Sequence, residues 1–297
     1  MFKPLPYILI GKRRREISRE FRVMNADLAR ARKMQLALLR HNDIKLPDSL
    51  DVGVMLKQSR SVGGDLYMYS VQNNQFRFII ADVCGKGMTA ALYMSAIHHI
   101  LITIDKNESP AEFCNILNNE LCKLNIDGMY MTMITGTVNL RTGEVAYVNA
   151  GHTSPIYWGA DKSAKYFNGE TDIPIGIIED FTYTNNFQKL NAHDTVILYT
   201  DGITDSINEA EENFGKDRLL ETLHRCKSRK PADIIAKVSK DIRTYNNHVP
   251  QSDDMILMAL CYNGEELFHQ ATVIPQETID EISLNNNEVI NEIQITI

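Results

Sequence analysis

The stretch VGGDLYMYSVQNNQFRFIIADV, residues 62–83, contains two runs of β-branched and aromatic residues on either side of a polar turn. The two runs predict strands at 62–71 and 75–83. Asn73 and Asn74 are typical of the two central residues of a tight hairpin turn, because asparagine tolerates the left-handed backbone that such turns need. The segment therefore predicts an antiparallel hairpin whose register is fixed by its turn.

This register brings two acidic residues together. Partners across the hairpin have residue numbers that sum to 147, which places Asp65 opposite Asp82. Facing side chains have Cβ atoms about 5 Å apart, and two like charges at that range destabilise a sheet by about 1 kcal/mol near a surface. A cation between the carboxylates would reverse the sign, so the pair is a candidate cation site.

Outside the hairpin, the chain from about residue 48 to 262 mixes strand-like and helix-like segments. Ser109 as N-cap, with Pro110 and Glu112 behind it, marks one helix start. The order of the segments indicates an α+β fold rather than a parallel βαβ series. Further strands are predicted at 131–140, 144–149, 195–200 and 255–260, and helices at 88–104, 110–124, 216–226 and 232–245.

Further acidic residues lie at the ends of predicted strands. Asp201 follows the strand 195–200 and should project into a loop, and Asp253 and Asp254 directly precede the strand 255–260. Strand ends on a rigid scaffold are suitable places for a site. Carboxylate ligands select Mg²⁺ or Mn²⁺ over zinc, and two such ions activate water for in-line attack on phosphorus. A phosphate ester is the natural substrate of that chemistry.

The first 45 residues form a basic segment in a chain of net charge −7, with 12 Lys/Arg against 4 Asp/Glu. Within it, apolar positions recur at alternating steps of four and three, as in a coiled-coil seam. Ala31 and Gln35 weaken the seam, which leaves two alternatives: a helix docked on its own domain, or a parallel homodimer. The seam consists of Ile17, Phe21, Met24, Leu28, Ala31, Gln35 and Leu38.

Several classes of protein are disfavoured by composition. No apolar run approaches the roughly 18–20 residues that span a bilayer, no secretory signal is evident, and the five cysteines lack metal-ligand or disulfide spacing. We expect a cytoplasmic protein, and the basic run 12–15 behind the apolar segment 7–10 leaves open a position at the membrane face. Nucleic-acid binding is not expected, because the basic segment lacks interleaved aromatic residues and a reading motif.

Five motifs occur in an order that resembles the metal-dependent PPM protein phosphatases, in particular their SpoIIE/RsbU-like bacterial branch. The resemblance covers about residues 28–260, which include a helix similar to the linker that precedes such domains. The motifs are Arg60-Ser61-Val62-Gly63-Gly64-Asp65, Ala81-Asp82-Val83-Cys84-Gly85-Lys86-Gly87, Asn149-Ala150-Gly151-His152, Tyr199-Thr200-Asp201-Gly202 and Ser252-Asp253-Asp254-Met255.

The resemblance implies an α-β-β-α sandwich of two antiparallel sheets, with an N-terminal helical linker (1–45), a phosphatase domain (46–262) and a C-terminal tail of unassigned role (263–297). It also implies two Mn²⁺ or Mg²⁺ ions, with Asp82 bridging both and Asp65 acting directly or through a water. Arg60 would receive the phosphate. The implied ligands are Asp65, Asp82, the carbonyl of Val83, Asp201 and Asp253, with Asp254 as an alternative and Asp205 as a possible addition.

By resemblance, the chain is expected to hydrolyse phosphoserine or phosphothreonine on a partner protein such as an anti-sigma-factor antagonist. The alternative is a pseudophosphatase that binds its partner without turnover. His152 is expected to hold a tight turn rather than to act as an acid or base. Cys84 stands where some eukaryotic relatives carry a histidine, so leaving-group protonation would pass to water, with Lys86 as a distant candidate. The sequence identifies no upstream sensor, although a dimeric linker could order the helix that begins near Met88.

Overall fold

The computed structural model describes residues 5–39, 45–104, 108–124, 126–264 and 293–296. Its helices are α1 (Leu5–Leu38), α2 (Met88–Thr103), α3 (Pro110–Leu124), α4 (Asp201–Thr204), α5 (Gly215–His224) and α6 (Pro231–Asn246). Its strands are β1 (Leu50–Lys57), β2 (Leu66–Gln72), β3 (Gln75–Val83), β4 (Met131–Asn139), β5 (Glu144–Ala150), β6 (Ile156–Trp158), β7 (Ala164–Tyr166), β8 (Thr171–Asp172), β9 (Asn186–Lys189), β10 (Asp194–Tyr199), β11 (Met255–Tyr262) and β12 (Ile293–Thr296).

The strands form two sheets. The first has the order β12-β1-β11-β10-β6-β7, and the second has the order β2-β3-β4-β5-β8 with β9 also paired to β5. Among the named strands of the described residues, all pairings are antiparallel except that of β5 with β8. Helices α5 and α6 pack on the first sheet, and α2 and α3 pack on the second. Two sheets between two helical layers confirm the predicted α+β sandwich.

Strand β11 shows how the two layers of core are built. All eight of its residues are buried. Ile256, Met258 and Leu260 pack into the core shared with the second sheet, whereas Met255 and Leu257 pack against α5 and α6. Because successive side chains point to opposite faces, a strand covered on both faces reads as one continuous apolar run.

The predicted hairpin has the predicted register. Its pairs run from Leu66 with Ala81 to Gln72 with Gln75, and both turn asparagines have positive φ, 51° and 60°. The predicted strand start at 62 is wrong, because β2 begins at Leu66. Residues 62–65 instead curve towards Asp254, so closely that a Cβ on Gly63 would lie 1.7 Å from the Asp254 Oδ2 atom.

Helix α1 is continuous and differs along its length in what it contacts. Near its C-terminal end Gln35 and Leu39 are buried, while Ile17, Phe21 and Met24 are each more than half exposed. Residues 40–44, which belong to the predicted linker (1–45), lie outside the described residues. Within residues 5–39, 45–104, 108–124, 126–264 and 293–296, no helical segment combines the length and the apolar character that a bilayer crossing requires.

The C-terminal segment, predicted as a tail of unassigned role, is described only at 263–264 and 293–296. Residues 293–296 form β12, which pairs antiparallel with β1 from Gly53 with Thr296 to Leu56 with Ile293. The end of the described chain therefore belongs to the first sheet.

Candidate metal centre

The acidic residues singled out by the sequence meet where the two sheets adjoin. Asp82 lies near the end of β3 and Asp65 directly precedes β2, so the second sheet contributes both. The first sheet contributes Asp201, which follows β10, and Asp253, which precedes the antiparallel partner strand β11. The Thr200 hydroxyl fixes these two strand ends to each other by accepting a hydrogen bond from the Ile256 backbone N–H at 2.9 Å.

The electrostatics of these carboxyl groups agree with this convergence. Burial, followed by the charges of Asp82 and Asp254, raises the pKa of Asp65 well above its ordinary value. Burial, followed by the charges of Asp201, Asp253 and Asp254, raises the pKa of Asp82 to about 7. The two carboxyl groups also share a hydrogen bond, which adds to the effect of burial on the pKa of Asp65 and acts against the effect of burial on the pKa of Asp82. Groups that resist ionisation this strongly are characteristic of functional sites, because a bound cation would stabilise their charged forms.

Asp201 is partly exposed and belongs to the same electrostatic group. Burial, followed by the charges of Asp205 and Asp253, raises its pKa, while the charge of Lys86 acts in the opposite direction. The prediction that Asp201 projects into a loop is wrong, because it begins the one-turn helix α4. Asp205 ends that turn, with its N–H bonded to the Asp201 carbonyl at 2.7 Å.

Asp254 holds the loop between β1 and β2. Its Oδ1 atom accepts hydrogen bonds from the Ser59 N–H at 2.7 Å and the Ser59 hydroxyl at 3.1 Å, and its Oδ2 accepts from the Gly64 N–H at 3.0 Å. Its backbone is equally close to α4, since a Cβ on Gly202 would lie 1.9 Å from the Asp254 carbonyl oxygen. Both oxygens of this buried carboxylate are therefore engaged in positioning the chain before Asp65.

Gln35 of α1 grips the same loop from the other side. Its Nε2 donates to the Gly63 carbonyl at 2.7 Å, and its Oε1 accepts from the Gly63 N–H at 3.2 Å and from Gln58 Nε2 at 2.6 Å. The residue that weakens the heptad seam is thus a buried polar anchor. It ties the end of the helical linker to the loop that carries Asp65.

Lys86 reaches across the centre to Asp253. Its Nζ lies 2.6 Å from Asp253 Oδ2 and donates a hydrogen bond to the Ser252 carbonyl at 3.1 Å. Lys86 belongs to the turn between β3 and α2, so this ion pair joins the second sheet to the first.

The residues present suit a divalent cation by their chemistry. Among the described residues, no three acidic, histidine or cysteine side chains are already close enough together to hold a metal ion as they stand. However, the Oδ2 of Asp65 is buried without a hydrogen-bond partner, and an ammonium group occupies Asp253. An orphaned buried oxygen and a side-chain cation among carboxylates fit a centre for hard cations with oxygen ligands.

Comparison with known proteins places the chain in a family. Residues 72–263 match the family model described as Stage II sporulation protein E (SpoIIE). The chain belongs to the SpoIIE family. The match covers the hairpin strand β3 and every later element through β11. This agrees with the resemblance drawn from the five sequence motifs.

Relatives of this SpoIIE-family chain include two bacterial proteins. Protein IcfG of Synechocystis is 26% identical over 273 residues, which are 81% of this chain and 42% of that protein. Phosphoserine phosphatase RsbU of Bacillus subtilis is 28% identical over 185 residues, which are 61% of this chain and 55% of RsbU. The chain thus matches about half the length of these curated relatives.

Among solved structures, the SiaA-PP2C domain of Pseudomonas aeruginosa has the same fold. Its TM-score is 0.72 at 21% sequence identity, and the alignment covers 82% of this chain and 98% of that domain.

Arg60 and Val83, both predicted site residues, lie near the turn between β3 and α2. Arg60 is exposed, and its Nη1 would lie 3.2 Å from a Cβ added to Gly87, which places the guanidinium beside the turn that carries Lys86. Val83 is buried, and its carbonyl would lie 3.0 Å from a Cβ on Gly64, so the carbonyl faces the loop before Asp65.

His152 is buried beside the centre and joins the two sheets. Its Nδ1 lies 2.8 Å from the Thr132 hydroxyl, and Thr132 is the partner of Asp82 in the β3–β4 register. The next residue, Thr153, donates to the Tyr199 carbonyl two residues before Asp201. Burial lowers the pKa of His152 to about 4. A neutral, enclosed imidazole fits the predicted structural role at a turn.

Three functional contacts were missed from sequence: the ion pair of Lys86, the loop-holding role of Asp254 and the anchoring role of Gln35. A signal existed for the second, since the adjacent glycines 63 and 64 indicate a close backbone approach. Sequence spacing offered no comparable signal for the ion pair.

Proposed function

We propose that this chain is a metal-dependent protein serine/threonine phosphatase, with residues 46–262 as its catalytic domain. The observation that carries the proposal is the meeting of Asp82, Asp201 and Asp253 at the junction of the sheets, where two of them have raised pKa values. Support comes from the SpoIIE-family match and from RsbU, which is named a phosphoserine phosphatase.

In this proposal Asp65, Asp82, Asp201 and Asp253, with the Val83 carbonyl, hold two Mn²⁺ or Mg²⁺ ions. A solved structure of similar fold, the catalytic domain of the phosphatase PstP, is described in complex with two manganese ions (TM-score 0.50). When bound, such a pair lowers the pKa of water and stabilises the charge that develops on the phosphoryl oxygens.

The protein's own groups bind and orient the substrate. Arg60 is exposed at the rim of the centre, and its planar guanidinium suits two phosphate oxygens at once. We assign Asp82 and Asp201 as catalytic ligands because Asp82 lies near the end of β3 and Asp201 begins the helical turn just after β10, and the burial of both strands in the core fixes these positions. Water would attack phosphorus while the P–O bond to the side chain breaks; the serine or threonine oxygen would take up a proton and leave as a hydroxyl, with inorganic phosphate as the other product.

The partner is proposed to be a phosphorylated regulatory protein such as an anti-sigma-factor antagonist, by analogy with the RsbU-like branch. We also propose a parallel homodimer through α1. Ile17, Phe21 and Met24 follow heptad spacing, and each is more than half exposed in the single chain. Pairing two copies along this stripe would bury it.

The test is turnover of a phosphoserine substrate with Mn²⁺. We expect activity that EDTA abolishes and that Asp201→Ala reduces by more than about a hundredfold, since even outer-shell changes cost 10- to 100-fold. Asp217→Ala, an exposed aspartate in the first turn of α5, is the matched control and should retain activity. Full turnover in the presence of EDTA would refute the proposal.

A further inference from the structure

The ammonium group of Lys86 is held against the acidic centre by two contacts, unlike that of a lysine whose side chain is free in solvent. The ammonium is 2.6 Å from Asp253 Oδ2, and a second hydrogen bond to the Ser252 carbonyl fixes its direction. Its charge also lowers the pKa of Asp201, although burial and two neighbouring aspartates raise that pKa overall. One side chain therefore offsets negative charge on both acidic residues that the first sheet supplies.

Two cations at the same oxygen of Asp253 compete for its negative charge, because an ammonium group and a metal ion repel each other at short range. Asp253 raises the pKa of Asp82 and of Asp201, so its charge acts on the ligands from both sheets. A divalent cation at Asp253 Oδ2 would therefore bind more weakly while the ammonium stays in place, and more tightly once Lys86 has moved away. The pair is partly open to solvent, with side-chain exposures of 44% and 30%, so the lysine can leave into water.

We propose that Lys86 is an intrinsic competitor of the metal centre, whose ammonium occupies Asp253 until a divalent cation displaces it. This inference rests on the proposed function and adds a residue that sets metal affinity. Lys86 is thus a positioning residue rather than a ligand.

The size of the effect follows from the exposure of the pair. Ion pairs with this degree of solvent contact contribute up to about 1 kcal/mol, equivalent to about fivefold in an equilibrium constant. Removing the repulsion between ammonium and metal adds to this. Replacing Lys86 with a neutral side chain of similar length should tighten Mn²⁺ binding about three- to tenfold.

The experiment is calorimetric titration of the full chain with Mn²⁺, which measures affinity and stoichiometry independently of turnover. We expect Lys86→Met to bind Mn²⁺ about three- to tenfold more tightly than the wild type, and Lys86→Arg to resemble the wild type. Lys123→Met is the matched control, because Lys123 forms an exposed ion pair with Glu120 on α3, away from the centre. Its Mn²⁺ affinity should not change.

A double variant distinguishes competition for the Asp253 oxygen from long-range repulsion between Lys86 and the metal ion. The gain from Lys86→Met should disappear in Asp253→Asn, because the contested oxygen is lost. An equal gain in that background would mean long-range repulsion and would overturn the proposal, as would unchanged or weaker binding by Lys86→Met itself. If the wild type binds Mn²⁺, such results overturn only the proposed role of Lys86 and leave the proposed function standing. Absence of Mn²⁺ binding by both proteins at millimolar concentration would overturn the proposed function as well.

Discussion

Replacing Asp254 by asparagine tests whether the Asp254 carboxylate positions the loop before Asp65 or binds a metal ion. The change keeps the side-chain shape and leaves one oxygen to accept the two bonds from Ser59. The second oxygen becomes an NH₂ group that faces the Gly64 N–H, now 3.0 Å from Oδ2. Two donors then oppose each other in a buried place, and the bond at Gly64 is lost.

The expected magnitude comes from two opposing effects. A hydrogen bond to a charged acceptor contributes about 1.5–3 kcal/mol, and an unsatisfied buried N–H costs a similar amount. Removing the negative charge relieves Asp65 and Asp82, but for both residues burial outweighs the charge of Asp254 as a cause of the raised pKa. The loss at Gly64 should therefore dominate. We expect Asp254→Asn to lower the free energy of unfolding by about 2 kcal/mol.

Urea denaturation in EDTA measures the stability, and calorimetry measures the number of Mn²⁺ ions bound. Because both oxygens of Asp254 are engaged by the loop, the stoichiometry should stay unchanged while turnover falls about tenfold through the displaced Asp65. Asp253→Asn is the contrasting variant: its exposed ion pair contributes at most about 1 kcal/mol, so stability should hardly change while Mn²⁺ binding weakens. Unchanged stability of Asp254→Asn together with the loss of one bound ion would refute this reasoning and make Asp254 a ligand.

Two other predictions concern stability and assembly. Because burial lowers the pKa of His152 to about 4, against about 6.5 in the unfolded chain, the unfolded state binds an extra proton as pH falls from about 6.5 towards 4. The stabilisation from neutral His152 is therefore fully present above this pH window and is lost within it. Between pH 7.5 and 5.5, urea denaturation should show a fall in the free energy of unfolding that is about 1 kcal/mol larger for the wild type than for His152→Gln. Equal falls for the two proteins would contradict this prediction. For the proposed dimer, light scattering should give a dimeric mass for the wild type and for Val23→Glu, and a monomeric mass for Ile17→Glu/Phe21→Glu. Equal masses for all three proteins would exclude the α1 seam.

The parts of the fold that sequence predicted well are those with strong local signals. Strand β3 has the predicted bounds, and the register around Asn73 and Asn74 is correct, because a two-residue turn fixes pairing and the side-chain period of two fixes the faces. The meeting of Asp65 with Asp82 followed from this register alone. Helix α3 also has the predicted bounds, since its N-cap and first-turn proline act locally.

The elements that sequence does not predict either have weak local patterns or are too short to have one. Strand β1 contains Gly53, which weakens its strand pattern, and it pairs with β11, about 200 residues later, so no hairpin turn marks it either. Strands β6 to β9 have four residues or fewer, too short for a periodic signal. The Lys86–Asp253 ion pair likewise joins two motifs that only the packing of the sheets brings together.

The two sheets each contribute half of the centre: Asp65 and Asp82 come from the second sheet, and Asp201 and Asp253 come from the first. A folding intermediate with only one sheet formed would contain at most half of the proposed ligands. Cation binding would then appear late in folding, when the sheets dock, and would lock that docking in place. In refolding experiments, binding of the ion would therefore report that the two sheets have docked, whereas formation of secondary structure alone would give no binding.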